Sequence, residues 1–135
     1  MKQKKENKNS YEKCISNNIT LCKSLLKKGT GLMFKRKKQD FAYIFPFKKK
    51  QIMNITMMFV FFPIDIIFLV KNNENDRLKI VEIVENLKPF THYIAKEKST
   101  TFIELPSGSV KKHKLKLRNE LEIKNKKLFL ITKKV

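Results

Sequence analysis

The chain has no tryptophan, two cysteines, and 12 acidic side chains against 31 basic ones, of which only Arg36, Arg77 and Arg118 are arginine. Each shortage excludes something. Cys14 and Cys22 stand eight positions apart, with no second pair and no histidine beside either, so no metal motif is present. Each thiol reads as a small hydrophobe in a reducing compartment. Scarce arginine argues against a surface that reads phosphate geometry, because lysine offers a solvated point charge and no planar fork. The two histidines, His92 and His113, stand alone in polar sequence and are expected to face solvent. No internal repeat emerges, and nothing in the sequence calls for a cofactor. The first residues, MKQKKENKNS, carry the charge of a secretory leader, but no apolar stretch follows before Lys13, so a cytoplasmic protein is expected.

The formal charge is +19 over 135 residues, and it is unevenly spread. Residues 1–50 carry 15 basic and 3 acidic groups, residues 51–99 carry 6 of each, and residues 100–135 carry 10 and 3. Basic ends of this kind attract nucleic acid or another anionic ligand by counterion release. The competing explanation is a composition drifted toward Lys, Asn and Ile, with the charge serving solubility alone. Length allows one domain, and an apolar content of 41% with eleven phenylalanines supplies a core without metals or disulfides.

The longest apolar run, Met57 to Val70, reads MMFVFFPIDIIFLV and encloses one acid, Asp65, and one Pro63. It is too short for a helix crossing a hydrocarbon core of about 30 Å, and Pro63 and Asp65 interrupt it, so it is read as two buried strands bent at Pro63. A carboxylate in such a run must be hydrogen-bonded, neutralised or used.

Around this centre, residues 1–12 read as a disordered basic tail, residues 13–124 as a single β-rich domain, and residues 125–135 as a C-terminal strand or basic tail. Cys14 to Leu26 suggests a short strand and then one or two helical turns stopped at Gly29. Phe41 to Phe47 alternates, with Phe41, Tyr43, Phe45 and Phe47 on one face, as an edge strand that offers itself to a protein partner. Asn72 to Asp76 is a loop, and Leu78 to Glu85 the antiparallel partner of the apolar run. Thr100 to Leu105 is a further strand. Ser109 to Leu115 suits a two-turn helix capped by Ser109, and Leu121 to Ile123 with Leu128 to Thr132 forms a closing hairpin. The expected fold is mainly β (α+β), a small antiparallel barrel-like or sandwich-like domain with one or two short helices.

Four phrases in fixed order carry a resemblance: GLMFKRK at 31–37, FPIDIIFL at 62–69, IVENLKPF at 83–90 and IELPSG at 103–108. Together they resemble the uncharacterised bacterial and archaeal family named domain of unknown function 192, from about Ile19 to Ile123. The resemblance implies a compact, mainly β, barrel-like domain and brings no established activity. It rests on Gly31, Leu32, Met33, Phe34, Pro63, Asp65, Glu104 and Gly108. Met57 to Phe62 is wholly apolar where the family carries a polar or Trp-Met element. The family's late Gly-Asp turn appears as Arg118-Asn119, which leaves Asn119 to take the left-handed conformation.

Three candidate sites follow. Asp65 and Glu104 are acids embedded in apolar strand sequence, and a pair of carboxylates with separated pKa values can do general acid and base work; the alternative is that each accepts hydrogen bonds and fixes a turn. Ser107, Gly108 and Ser109, with Lys111 and Lys112 following, offer N–H groups and charge to an anion, although the spacing is no P-loop. The basic ends, with Tyr43, Phe47 and Tyr93, offer a nucleic-acid surface. The sequence favours a binding domain of unknown role over a basic nucleic-acid-binding protein or a carboxylate-pair enzyme.

Overall fold

Ile64 to Leu69 are buried without a break because the strand they form has both of its faces covered. A computed structural model describes residues 10–23, 40–58 and 60–133 of the chain. Its elements are β1 (Ser10–Ser16), β2 (Ile19–Leu21), β3 (Ala42–Thr56), β4 (Ile64–Lys71), β5 (Leu78–Leu87), β6 (His92–Pro106), the single helical turn α1 (Ser109–Lys112), β7 (Glu120–Lys124) and β8 (Lys127–Lys133). The strands make one eight-stranded sheet in the order β1-β8-β7-β5-β4-β6-β3-β2. All pairs are antiparallel except β2 with β3, which run parallel. The sheet is mixed and open, with β1 and β2, neighbours in sequence, as its two edges.

One face carries an aliphatic core to which every strand contributes, among them Ile15, Ile19, Ile44, Ile67, Leu69, Ile80, Ile103, Leu121 and Leu128. The other carries an aromatic core of Phe41, Phe45, Phe62, Phe68 and Phe102 with Ile64 and Ile66. Phe45 stacks on Phe102 with ring centres 4.5 Å apart. Alternation along β4 sends Ile64, Ile66 and Phe68 to the aromatic face and Ile67 and Leu69 to the aliphatic one. Val110 and Leu115, on and after α1, pack against the aliphatic core at the end of the sheet where β6 finishes.

The mainly β class, the Asn72–Asp76 loop, the β4–β5 pair and the β7–β8 hairpin are as the sequence reading expects. Other elements differ for physical reasons. Met57, Met58 and residues 60–63 are in no strand: Met57, Val60 and Phe62 bury their side chains, the Met57 N–H bonds Thr91 O at 2.7 Å, and the Val60 N–H bonds Met57 O at 3.2 Å. The Phe41–Phe47 segment is not an open edge, because β2 pairs with Ala42 to Ile44 on one side and β6 with the other. Strand β6 begins at His92, well before Thr100, since Ser99 and Ala95 turn inward within its polar first half. Strand β1 begins at Ser10, inside the segment read as a tail, because β8 supplies a partner for it. The remainder of that tail, the helical turns expected before Gly29, and Gly31, Leu32, Met33 and Phe34 lie outside the described residues. Among the described residues, no helix is long and apolar enough to cross a membrane.

The β5–β7 pairing spans only Leu78↔Leu121 and Lys79↔Glu120, and Arg77 reinforces it by reaching Glu120 at 3.3 Å and Glu122 at 4.0 Å. Just before β7 the chain turns through Arg118, whose φ is +74°, and its N–H bonds Ile80 O at 2.8 Å. The left-handed residue is therefore Arg118, while the Asn119 side chain accepts the Lys116 N–H at 2.8 Å. An L-residue with a Cβ is strained there by about 1 kcal/mol or more. Arg118→Gly should raise the unfolding free energy by about 1 kcal/mol in urea denaturation, the relief of that strain less the entropy glycine adds to the unfolded chain.

Candidate functional site

Three carboxylates are buried in the strands at the centre of the sheet, and their surroundings differ. Asp65, fully buried, accepts the Asn86 N–H on Oδ1 at 2.8 Å and the Val110 N–H on Oδ2 at 2.9 Å. Asn86 is the extra residue of a bulge where β5 slips past β4, and its φ is +53°. Val110 lies in α1, whose N-cap, Gly108 at φ +91°, makes no side-chain cap bond. One aspartate thus satisfies a part-buried bulge donor and a buried helix-start donor. The capping acceptor is Asp65, not the Ser109 hydroxyl, which bonds back to Pro106 O at 2.5 Å.

Glu82 does the same for another bulge. Where β6 slips past β3, between Ile94 and Lys98, the N–H groups of Lys96 and Glu97 both reach Glu82 Oε1 at 2.8 Å, and the Tyr93 hydroxyl donates to Oε2. Burial, then that hydrogen bond to Glu82, pushes the Tyr93 phenol up to about 12. Sequence reasoning passed over Glu82, although its place between Val81 and Ile83 is the same kind of signal as Asp65 between Ile64 and Ile66.

Glu104 is the exception. It is buried beside Tyr43 of β3 and Ile66 of β4, its register partners, and its Oε2 has no hydrogen-bond partner. Burial raises its pKa from 4.5 to about 8. Burial also raises the Tyr43 phenol, with smaller contributions from Cys22 and Glu104. The two acids singled out from the sequence are not brought together: Asp65 is in register with Leu105 of the aliphatic face, and Glu104 with Ile66 of the aromatic face. The sheet separates them.

At the α1 end of the sheet a cleft of about 490 Å³ opens between β1 and the turn after β6. Cys14, Ser16 and Asn17 form one wall, Asp40 and Phe41 a second, and Pro106 to Ser109 with Lys112 and His113 a third. Ser107, Gly108, Ser109 and Lys112 therefore share one site, and Lys111 does not line it. Three donors of the turn are committed elsewhere: Ser107 Oγ to Asn86 Oδ1 at 2.9 Å, Ser109 Oγ to Pro106 O, and the Val110 N–H to Asp65. Asp40 accepts the Ser16 hydroxyl at 2.7 Å, and Cys14 donates its thiol proton to Asn17 Oδ1 at 3.3 Å.

His113 is 9% exposed, contrary to the expectation of a solvent-facing ring, whereas His92 is exposed. The spacing held the clue: Val110 and His113 are three apart on a helical turn, so an inward Val110 carries His113 inward with it. Nδ1 of His113 is buried without a partner. Its pKa is lowered by burial first, then by Lys13 and Lys112, with Asp40 opposing. Among the described residues no group of His, Cys, Asp or Glu side chains is arranged to hold a metal ion.

The DUF192 family model, described as “Uncharacterized ACR”, matches residues 5–123. The chain belongs to the DUF192 family. It is 32% identical over 90 residues to a UPF0127 family protein of Pyrococcus horikoshii, covering 67% of this chain and 73% of that one. Two solved structures share the fold at 19% identity. One, from Sinorhizobium meliloti and titled a “putative transcription regulator”, has a TM-score of 0.66 over 85% of this chain and 80% of its own. The other, a Novosphingobium aromaticivorans protein of unknown function, has a TM-score of 0.63 over 84% and 73%. DUF192 is a family of unknown function, and no specific role comes from these likenesses.

Two measurements test the buried acids of this DUF192 chain. Asp65→Ala leaves the Asn86 and Val110 donors unpaired and should lower the unfolding free energy by about 3 kcal/mol in urea denaturation, with Asp65→Asn, which keeps one acceptor, losing less. For Glu104 the folded chain keeps a proton that the unfolded chain gives up above 4.5, until about 8. Stability should therefore fall as pH rises across that window, by up to about 1.4 kcal/mol per pH unit, and level off above it. Glu104→Gln should remove the slope and be the more stable protein at pH 8 in thermal melts.

Proposed function

We propose that this DUF192 protein is a binding module whose small polar ligand sits in the cleft between β1 and the Pro106 to His113 turn. The observation that carries the reading is that His113, which lines the cleft, keeps a buried Nδ1 with no hydrogen-bond partner. Leaving such an atom unpaired costs about 1–3 kcal/mol, which a ligand group supplying the missing bond recovers. The volume supports the same reading, since small-molecule pockets run from about 300 to 1,000 Å³ and combine a concave wall with a few converging polar groups. A carboxylate-pair enzyme has no support from Asp65 and Glu104, which face opposite sides of the sheet. Cys14 and Cys22 form no disulfide, which fits a reducing compartment such as the cytoplasm.

Thermal melting against a panel of small metabolites tests the cleft. A binder should raise the melting temperature of the wild type by several degrees and leave His113→Phe unmoved; an equal rise in both would place the ligand elsewhere.

A second reading, contact with nucleic acid, draws on the net charge of +19 and on the designation of the Sinorhizobium meliloti protein. Lys48, Lys49 and Lys50 on β3 and Lys96 and Lys98 on β6 are exposed on one two-stranded ribbon. Such lysines bind phosphates without reading bases. Duplex DNA followed by fluorescence anisotropy should bind with an affinity that falls steeply with salt, and replacing Lys48, Lys49 and Lys50 by Gln should flatten that dependence. No binding at low salt would end this reading.

A further inference from the structure

Five of the eight large apolar side chains that the described residues expose lie on neighbouring parts of the chain. Met58 and Phe61 belong to the connection from β3 to β4, and Phe90 to the connection from β5 to β6. Backbone bonds join the two connections, from the Met57 N–H to Thr91 O at 2.7 Å and from the Phe90 N–H to Met57 O at 2.8 Å. The Phe61 and Phe90 rings meet edge to face with centres 5.5 Å apart. Ile52 and Ile94 follow on the β3–β6 ribbon that leads to these connections. Opposed residues of an antiparallel pair point to one side, and Thr56 with His92, Asn54 with Ile94 and Ile52 with Lys98 are all exposed. The alternate residues Met53, Ile55 and Ala95 pack into the aromatic core, so the other side of the ribbon looks outward.

Lysines flank this patch. Residues 48–58 and 85–98 hold Lys48, Lys49, Lys50, Lys88, Lys96 and Lys98 against Glu85 and Glu97, and all eight are exposed. A second copy of the chain would set these lysines against their own copies. Nucleic acid answers the lysines with phosphates and gives the apolar side chains no place on its backbone. The side chains stand out, with Ile94 68% and Phe61 59% exposed, so a protein partner would have to supply a fitted hollow for each and acidic groups around it. An anionic bilayer supplies headgroup charge over an apolar layer and demands no match of shape. We propose that this face docks on an anionic lipid bilayer. Met58, Phe61 and Phe90 enter the boundary between headgroups and acyl chains, Ile52 and Ile94 lie against it, and the lysines stay among the headgroups. Charge draws the protein in over a Debye length, and apolar burial holds it there. The cleft shares no residue with this face, so the inference is independent of the ligand reading.

The chain has no tryptophan, so Phe61→Trp places a single indole reporter in the patch, and Tyr11→Trp, at an exposed position of β1, places one outside it. The probes are vesicles of phosphatidylcholine alone, vesicles with about one-third phosphatidylserine, and duplex DNA. The full-length protein should sediment with the anionic vesicles about tenfold more tightly than with the neutral ones, and salt should weaken that binding. On binding, the emission of Phe61→Trp should move to the blue and be quenched by brominated acyl chains, while that of Tyr11→Trp stays as it is in water. Ile94→Ser, a change at the most exposed of these side chains, should weaken binding about fivefold or more with an unchanged thermal melt. It serves also if the Phe61 variant fails to fold. No sedimentation at low salt, or equal binding to both vesicles, overturns the inference. So does an indole of Phe61→Trp that stays in water on bound protein, which would mean attraction by charge alone. If DNA moves that emission and vesicles do not, the face belongs to nucleic acid. If light scattering finds a dimer that Ile94→Ser dissolves, and vesicles do not bind, it belongs to a second copy.

Discussion

The hydrogen bonds from Asn86 and Val110 to the Asp65 carboxylate tie three parts of the molecule to one buried side chain. Asp65 lies near the start of the central strand, Asn86 in the bulge that shifts the β4–β5 register, and Val110 in the helical turn packed on the aliphatic core. Without an acceptor at that point, the Val110 donor would be buried and unpaired, and the part-buried Asn86 donor would lose its partner. The turn from Pro106 to His113, and with it one wall of the cleft, is positioned by this contact. An acid inside the most apolar stretch of the sequence is thus a structural requirement of an irregular sheet.

Glu82 generalises the pattern, since it answers the two N–H groups released by the β6 bulge and fastens the Tyr93 hydroxyl as well. Bulges bend strands, and bending lets the long β3–β6 ribbon lay Met53, Ile55 and Ala95 onto the aromatic face. Each bend exposes backbone donors, and a buried carboxylate from another strand collects them. Glu104 stands apart because no bulge donor points at it. Its high pKa records burial beside aromatic rings with nothing to share its charge.

Much of the architecture was legible in the residues. Period-two alternation at Phe41 to Phe47 identified the aromatic face, the unbroken run at Ile64 to Val70 identified a strand covered on both sides, and Asn72 to Asp76 marked its loop. Where the reading departed from the structure, tertiary contacts decided. Met57 to Phe62 is as apolar as a strand, yet Met57, Val60 and Phe62 bury their side chains from outside any strand, and His92 to Ser99 is polar yet paired with β3. The cleft was half visible: Ser107, Gly108, Ser109 and Lys112 were picked out, while Ser16, Asn17 and Asp40 come to it from distant sequence, through a sheet order no local pattern reveals. Register also decided that Asp65 and Glu104, alike on paper, belong to different faces.

Pairing β1 with β8 ties Ser10 to Lys133, positions more than a hundred residues apart. During synthesis the first strand emerges from the ribosome long before its neighbour in the sheet exists. The aliphatic core, which needs Ile15 from β1 and Leu128 from β8, cannot be completed until the last strand is free of the exit tunnel. The domain therefore cannot complete its core until β8 has been made, and its N-terminal strand is without its sheet partner until then.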